Sequence, residues 1–344
     1  MGKTGIIVNL LLFFTLAASC AGSDDPLNPL LLLALAPGNS SGGSASGANS
    51  YAFSSLDFQS ASAASGSSWR SITYGDGLFV AGGYDVLMTS PDGITWTAQT
   101  SPPVDNWWYS IAYANDLFVA VSLDGDVDDG VATSPDGFNW TSRTAAGADN
   151  EWASVTYGNG LFVVVGYNDE TPENKVVTST EGINWTLRTP VGLPAHWNSV
   201  AYGNGVFVAV SHLGANRVMT SPDGINWTAR TAAENNYWIS VTYGNGIFVA
   251  VSISGTNRVM TSTDGITWTA RSAISAAWSN ITYGNGLFVA VSTSQVVMPS
   301  PDGITWTERS AAEDNPWRAV TYGNGKFVAI ADSGTNQIMY ATCP

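Results

Sequence analysis

Residues 300–309 read SPDGITWTER, and close copies of the phrase begin at Ser90, Ser134, Ser179, Ser221 and Ser262. Its first half is made of turn formers: proline presets φ, a short carboxylate takes hydrogen bonds from nearby amides, and glycine accepts a left-handed backbone. Its second half, Ile-Thr-Trp-Thr, favours an extended chain. A turn-then-strand phrase that returns with a period of about 40 residues is the mark of a propeller or another repeat array.

Reading outward, each phrase is preceded by a second one of the form Tyr-Gly-Asn-Gly followed by an apolar run such as LFVAV. Tyr74, Tyr113, Tyr157, Tyr202, Tyr243, Tyr283 and Tyr322 head these segments at spacings of 39, 44, 45, 41, 40 and 39 residues, and the second departs to AYANDLFVA. Five residues before each tyrosine stands a tryptophan (Trp69, Trp108, Trp152, Trp197, Trp238, Trp278, Trp317), and Trp96, Trp140, Trp185, Trp227, Trp268 and Trp306 close the turn phrase. Of the fourteen tryptophans only Trp107 lies off this register.

A unit divides into four short strands; in the fourth they are WNSVAYG, VFVAVS, RVMTS and INWTAR. Asn-Gly between the first two suits a type I′ hairpin, whose central residues both need positive φ. Continuous apolar runs fit strands covered on both faces, as when one sheet is sandwiched between two others. The predicted fold is all-β, a seven-bladed β-propeller of four-stranded antiparallel blades. The seventh unit ends at QIMYATCP without a turn phrase or fourth strand. Phe58 precedes Trp69 by eleven residues, as Trp227 precedes Trp238, so a strand within Ser54 to Ala63 is expected to complete the last blade. Such closure removes an unpaired edge.

The formal charge is −15, from 27 acidic and 12 basic residues, which argues against nucleic acid. Residues 1–19 read as an export signal: one basic residue, an apolar stretch from Ile6 to Ala18, then small residues before Cys20. Leu-Ala-Ala-Ser-Cys (residues 16–20) resembles a bacterial lipobox, which implies lipid on Cys20 and a membrane-anchored lipoprotein of the bacterial cell envelope; Ala17 stands three residues before the cysteine where that pattern has leucine. Residues 20–50, with PGNSSGGSASGANS, read as a flexible tether, and 51–344 as the propeller. Cys343 is then the one remaining thiol, so no disulfide framework is expected.

The phrase SPDGITW resembles the Asp-box, or bacterial neuraminidase repeat, which sits on the hairpin between a blade's third and fourth strands. Here the step from Asp to Gly is one residue shorter, and Glu181 replaces Asp in the third copy. The resemblance covers the chain from about Tyr51 and implies the sialidase superfold, whose members include sialidases, other carbohydrate-active proteins and non-catalytic assembly factors. A carboxylate written six times at equivalent turns is expected to be structural, and Asn-Trp-Thr at Asn139, Asn184 and Asn226 to be a by-product of the repeat.

Catalysis is not expected. Sialidase chemistry needs converging arginines with a Tyr–Glu pair, yet Arg143, Arg188, Arg230, Arg271 and Arg309 share one repeated place on the outer strand, where they read as surface charges covering aromatic neighbours. Arg70, Arg217, Arg258 and Arg318 remain, without a Glu–Tyr partner to nominate. Alternating strand direction puts the YGNG and SPDG turns on one face and the variable loops on the other, and loops on a rigid scaffold are the usual home of binding residues. On that face Trp107, Tyr167, His196, His212, Arg217, Tyr237 and Arg258 are candidate ligand contacts for a protein or glycan, with cover for loop backbone as the alternative for the aromatics and a solvated loop edge for the arginines. Asp124, Asp126 and Asp128 resemble the start of a calcium loop, though Asp129 holds the glycine place and no glutamate closes it. The expectation is a monomeric, non-catalytic exported lipoprotein that binds through its variable face. A carbohydrate-active enzyme and a periplasmic assembly factor for a membrane complex are the alternatives.

Overall fold

The computed structural model describes residues 56–99, 106–124, 130–145, 151–167, 176–191 and 196–343, and of Tyr167 the backbone alone. The signal, the tether, Cys20, Asp126 and Asp128 lie outside the described residues. Seven four-stranded antiparallel sheets form the chain. The first blade runs Trp69–Gly75, Leu78–Gly83, Val86–Ser90 and Thr97–Ala98. The fourth runs Trp197–Gly203, Val206–Ser211, Val218–Ser221 and Thr228–Arg230. Each inner strand, beginning at a register tryptophan or, in Glu151–Gly158, one residue before it, packs against the inner strands of its two neighbours, and Trp69–Gly75 packs against Trp317–Gly323 to close the ring.

The hairpins follow from their residues. Asn159 and Gly160 sit at φ 49° and 75°, the positive pair a type I′ turn requires, and Asn115 and Asp116 hold the equivalent places at 52° and 56° without any glycine. In the SPDG turn Ser134 Oγ accepts the Gly137 amide at 2.9 Å and donates to Asp136 Oδ1, which also takes the amides of Phe138 (2.9 Å) and Asn139 (2.8 Å). The expected structural role of the repeated Asp is therefore what the geometry displays. Asn139, Asn184 and Asn226 each donate their side-chain amide to the acidic residue of the same turn.

The core lies between blades. Phe207 to Val210 are wholly buried; Phe207 and Ala209 pack with Val163 and Trp197 on one side, while Val208 and Val210 pack with Trp238 and Phe248 on the other. This two-sided cover is why the second strands carry no polar alternation. All seven inner tryptophans are fully buried.

The closing strand is Gln59–Ala61, antiparallel to Ile338–Thr342 with Ser60 opposite Met339. Phe58 packs into the same cluster as Met339, and Leu56, 2 % exposed, joins it beside Cys343.

Two details differ from expectation. The fourth strands are shorter than the pattern suggests, starting after the turn tryptophan, because the residues between glycine and tryptophan are still held by the turn's carboxylate. The outer-strand arginines are not simple aromatic covers: Arg143, Arg188, Arg230 and Arg271 donate Nε to Thr133, Thr178, Thr220 and Thr261 across the strand pair at 2.9–3.0 Å.

Candidate functional site

The inner strands enclose a central channel of about 350 Å³, within the range of small-ligand sites. A bulge after each tryptophan shifts the register there, so the residue that follows it is skipped in the pairing within its own blade. The serines one place further on pair within their blade, and the side chains of Ser110, Ser154 and Ser199 accept the amides of Val155, Val200 and Val241 in the following blade, at 3.1–3.2 Å. Asn280 does the same for Val320 at 3.0 Å. The channel wall is thus a rigid girdle of side-chain to backbone bonds between blades.

At the loop-face mouth this girdle carries the residue that follows each tryptophan, and here the repeat stops repeating: Arg70, Tyr109, Ala153, Asn198, Ile239, Ser279 and Arg318. Two clusters gather around it.

The first joins the opening and closing blades. Arg318 donates Nε to Asp332 Oδ2 at 2.7 Å and brings Nη2 to the same oxygen at 2.7 Å, while Arg70 Nη2 stands 3.5 Å from it. The side chains of Arg70, Arg318 and Asp332 retain 18 %, 30 % and 13 % exposure, enough to meet a solute. Arg70 also lies over the Trp107 ring at 4.9 Å, and Tyr84 and Tyr109 approach that ring edge-on at 6.4 and 6.1 Å. Trp107 is held by an isolated bridge to Tyr84 and by its amide bonding Asp124 Oδ2 at 2.9 Å.

The second cluster joins the fourth and fifth blades. The His196 and His212 rings meet edge-on at 4.8 Å, and His212 lies 5.7 Å from Tyr237. Asn198 contacts His212 Nδ1 at 2.9 Å and donates to the Trp238 carbonyl at 2.8 Å. Arg217 sits 5.6 Å from the Tyr237 centroid, and Tyr237 is 44 % exposed.

The structure therefore brings together His196, His212, Arg217 and Tyr237 on one side of the mouth and places Trp107 on another. Arg217 and Arg258 tie blades together: Nη1 of each donates to a carbonyl two residues before the next blade's inner tryptophan, Asn236 at 2.5 Å and Ala276 at 2.6 Å. Gln337 does the same to Ser67 at 2.6 Å where the ring closes. Asp124 is engaged with Trp107, and among the described residues no group of three or more His, Cys, Asp or Glu is arranged for a metal ion.

The sequence set Arg70 and Arg318 apart only as arginines outside the repeated place, and Tyr109 and Asp332 not at all. For Arg70, Tyr109 and Arg318 a signal was available in the position after each register tryptophan, which varies from blade to blade while the position after it is serine in five units of seven.

A family model described as the DUF6242 beta propeller domain matches residues 134–277. No curated protein matches the chain by sequence. Among solved structures, a catalytically inactive virginiamycin B lyase from Staphylococcus aureus, with quinupristin, is 12 % identical at TM-score 0.72, over 83 % of this chain and 99 % of that one. YCF48 bound to D1 peptide is 13 % identical at TM-score 0.64, over 84 % and 99 %, and YCF48 from Cyanidioschyzon merolae is 12 % identical at 0.63, over 83 % and 98 %. At these identities the likeness is one of fold, and that fold is the seven-bladed β-propeller.

Proposed function

We propose that this chain is a non-catalytic binding module that holds a protein or glycan ligand on the loop face, at the mouth of the central channel. The observation that carries the reading is the contrast between the two faces. The hairpin face repeats one turn six times, whereas the loop face gathers Arg70, Trp107, Tyr109 and Arg318 on one side of the mouth and His196, His212 and Tyr237 on another. Aromatic and arginine side chains on a rigid frame are the residues that dominate recognition surfaces. Asp332, the carboxylate at the mouth, is engaged by two guanidinium groups, which favours a structural or ligand-reading role over proton transfer. That a propeller of this outline, YCF48, has been seen bound to a peptide supports a binding role for the fold. Export and acylation at Cys20 complete the proposal. The closing strand receives the chain from the hairpin face, so a tether leading from a membrane would leave the loop face turned outward.

The test places a photoreactive residue at Tyr237 or at Ile266 of the full chain in its native cells. Both positions are exposed, on the loop and hairpin faces respectively. Cross-links from position 237 but not from 266 are expected, and equal products from both would overturn the assignment of the face.

A further inference from the structure

The girdle that lines the channel is broken where the ring closes. Each inner strand is an edge of its sheet, and in the first blade Gly75 and Leu78 flank the two-residue turn as a hydrogen-bonded pair. Bonded and non-bonded pairs alternate from there, so Ile72, opposite Ala81, turns both its amide and its carbonyl away from its own blade and toward the channel. The equivalent amides of Val155, Val200, Val241, Ile281 and Val320 are taken by the blade before, through Ser110, Ser154, Ser199, Ser240 and Asn280, at 3.0–3.3 Å. The last blade has Ala319 in the serine place, packed in the same cluster as Ile72 and without a hydroxyl to offer. Among the described residues no side chain takes the Ile72 amide, and Ser71, which makes no bond to Ile111, keeps its hydroxyl at the same gap. A repeat that drops its own bond at one junction gives up stability there, as positions kept for function do.

Resting on the binding reading above, we infer that the channel takes an extended, uncharged stretch of peptide main chain along the inner strand of the first blade, its carbonyl on the Ile72 amide and its amide on the Ile72 carbonyl. A residue in the non-bonded place of an antiparallel pair offers a donor and an acceptor in one direction, which is what the backbone of an added strand pairs with. A sugar hydroxyl could take the amide but lacks the matched pair at strand spacing. The lining beside the gap suits a neutral chain, with Ile72, Ile111 and Val320 for its side chains and Ser71 and Thr321 for a further polar contact. Ala319 is then the residue that sets specificity, because its methyl group leaves the strand edge open.

The experiment uses the full chain isotopically labelled at isoleucine nitrogen, in which Ile72 and Ile281 report the open and the capped amide side by side. The probe is N-acetyl-alanyl-alanine N-methylamide, uncharged and nearly all main chain, titrated into the millimolar range. The Ile72 amide proton is expected to move downfield as its bond forms, and the Ile281 signal to stay. Ala319→Ser restores the repeat's own acceptor, so it is expected to raise the melting temperature while weakening the probe several-fold, a pair of changes that no folding defect produces. Ser262→Ala, on the hairpin face, is expected to lower the melting temperature and leave the Ile72 response as it was. A still Ile72 signal, equal movement of Ile72 and Ile281, or an undiminished response in Ala319→Ser would overturn the inference. A larger response to methyl maltoside than to the peptide would transfer the gap to a glycan and overturn the peptide assignment. Loop-face cross-links in cells together with an unmoved Ile72 signal would leave the binding module standing and remove only this main-chain site.

Discussion

Asp136 carries the logic of the repeated turn in one side chain. Its carboxyl is held down at about 2 from an ordinary 3.8, chiefly by the Asn139 backbone amide; burial, the next largest influence, opposes this, and the Asn139 side chain, the Phe138 amide and Ser134 together outweigh it. In Asp92, Asp223 and Asp302 burial is the largest single influence and pushes the carboxyl up, but turn hydrogen bonds and serine hydroxyls together bring it below the ordinary value; Asp264 is lowered first by the Thr267 amide, and Glu181 by the Asn184 side chain first. A carboxyl whose value is lower folded than unfolded contributes stability above its unfolded value, and that contribution is lost as pH falls toward the folded one. Stability should therefore decline between about pH 4 and pH 2, read as a falling melting temperature. Asp136→Ala should flatten part of that slope, and a slope identical to wild type would show that the turn carboxylate is not coupled to folding. The serine is the more exacting partner, because Ser262 Oγ accepts the buried Gly265 amide at 2.8 Å. Ser262→Ala leaves that amide unsatisfied and should cost about 1–3 kcal/mol in denaturant unfolding.

Between elements, the recurring contact is a tyrosine ring against a glycine of the blade before it. A methyl group added to Gly203 would stand 2.0 Å from Tyr243 Cγ, and the same relation joins Gly75 to Tyr113 and, across the closure, Gly323 to Tyr74. Each of these tyrosines also packs on its own blade's phenylalanine, with centroids 4.5 to 4.9 Å apart, so the ring has little room to retreat. Gly203→Ala should destabilise by roughly 1–3 kcal/mol, the usual cost of overpacking; an unchanged midpoint would mean that the ring moves aside freely. The second blade has Ala114 at this place, partly buried beside the same core cluster as Tyr157, so one junction of the ring accommodates a larger residue. The strands were legible because hairpin chemistry and apolar runs recur in every unit. Their ends were less so, since a fourth strand can begin only where the turn carboxylate lets go of the backbone. The arginine-to-threonine bonds escaped notice because the two residues lie ten positions apart around a turn, a pairing visible only once the register is fixed.

At the scale of the whole molecule, closure decides both stability and site. Arg70 and Arg318 are 248 positions apart in sequence and meet at one carboxylate only because the first blade packs on the last, so motif spacing had no means of pairing them. The histidine pair was easier to foresee, since both residues fall on same-face loops of one blade. Closure itself was legible as a missing strand at one end and a surplus one at the other. It is made by three paired positions, by the Tyr340 hydroxyl donating to Gln59 Oε1 at 2.8 Å, and by Gln337 reaching Ser67. Leu56 and Phe58 then cover Met339 and Cys343 from the hairpin face. A chain starting at Tyr51 keeps all of this and should melt like the longer protein. One starting at Ser65 loses the closing strand, and exposing the pocket of Leu56 alone costs roughly 2–5 kcal/mol by comparison with large-to-small core changes. The same truncation uncovers Cys343, now 7 % exposed, so its thiol should turn from slow to rapid reaction with a soluble disulfide reagent. Equal melting temperatures and equal thiol rates in the two truncated chains would show that the ring holds without its closing strand.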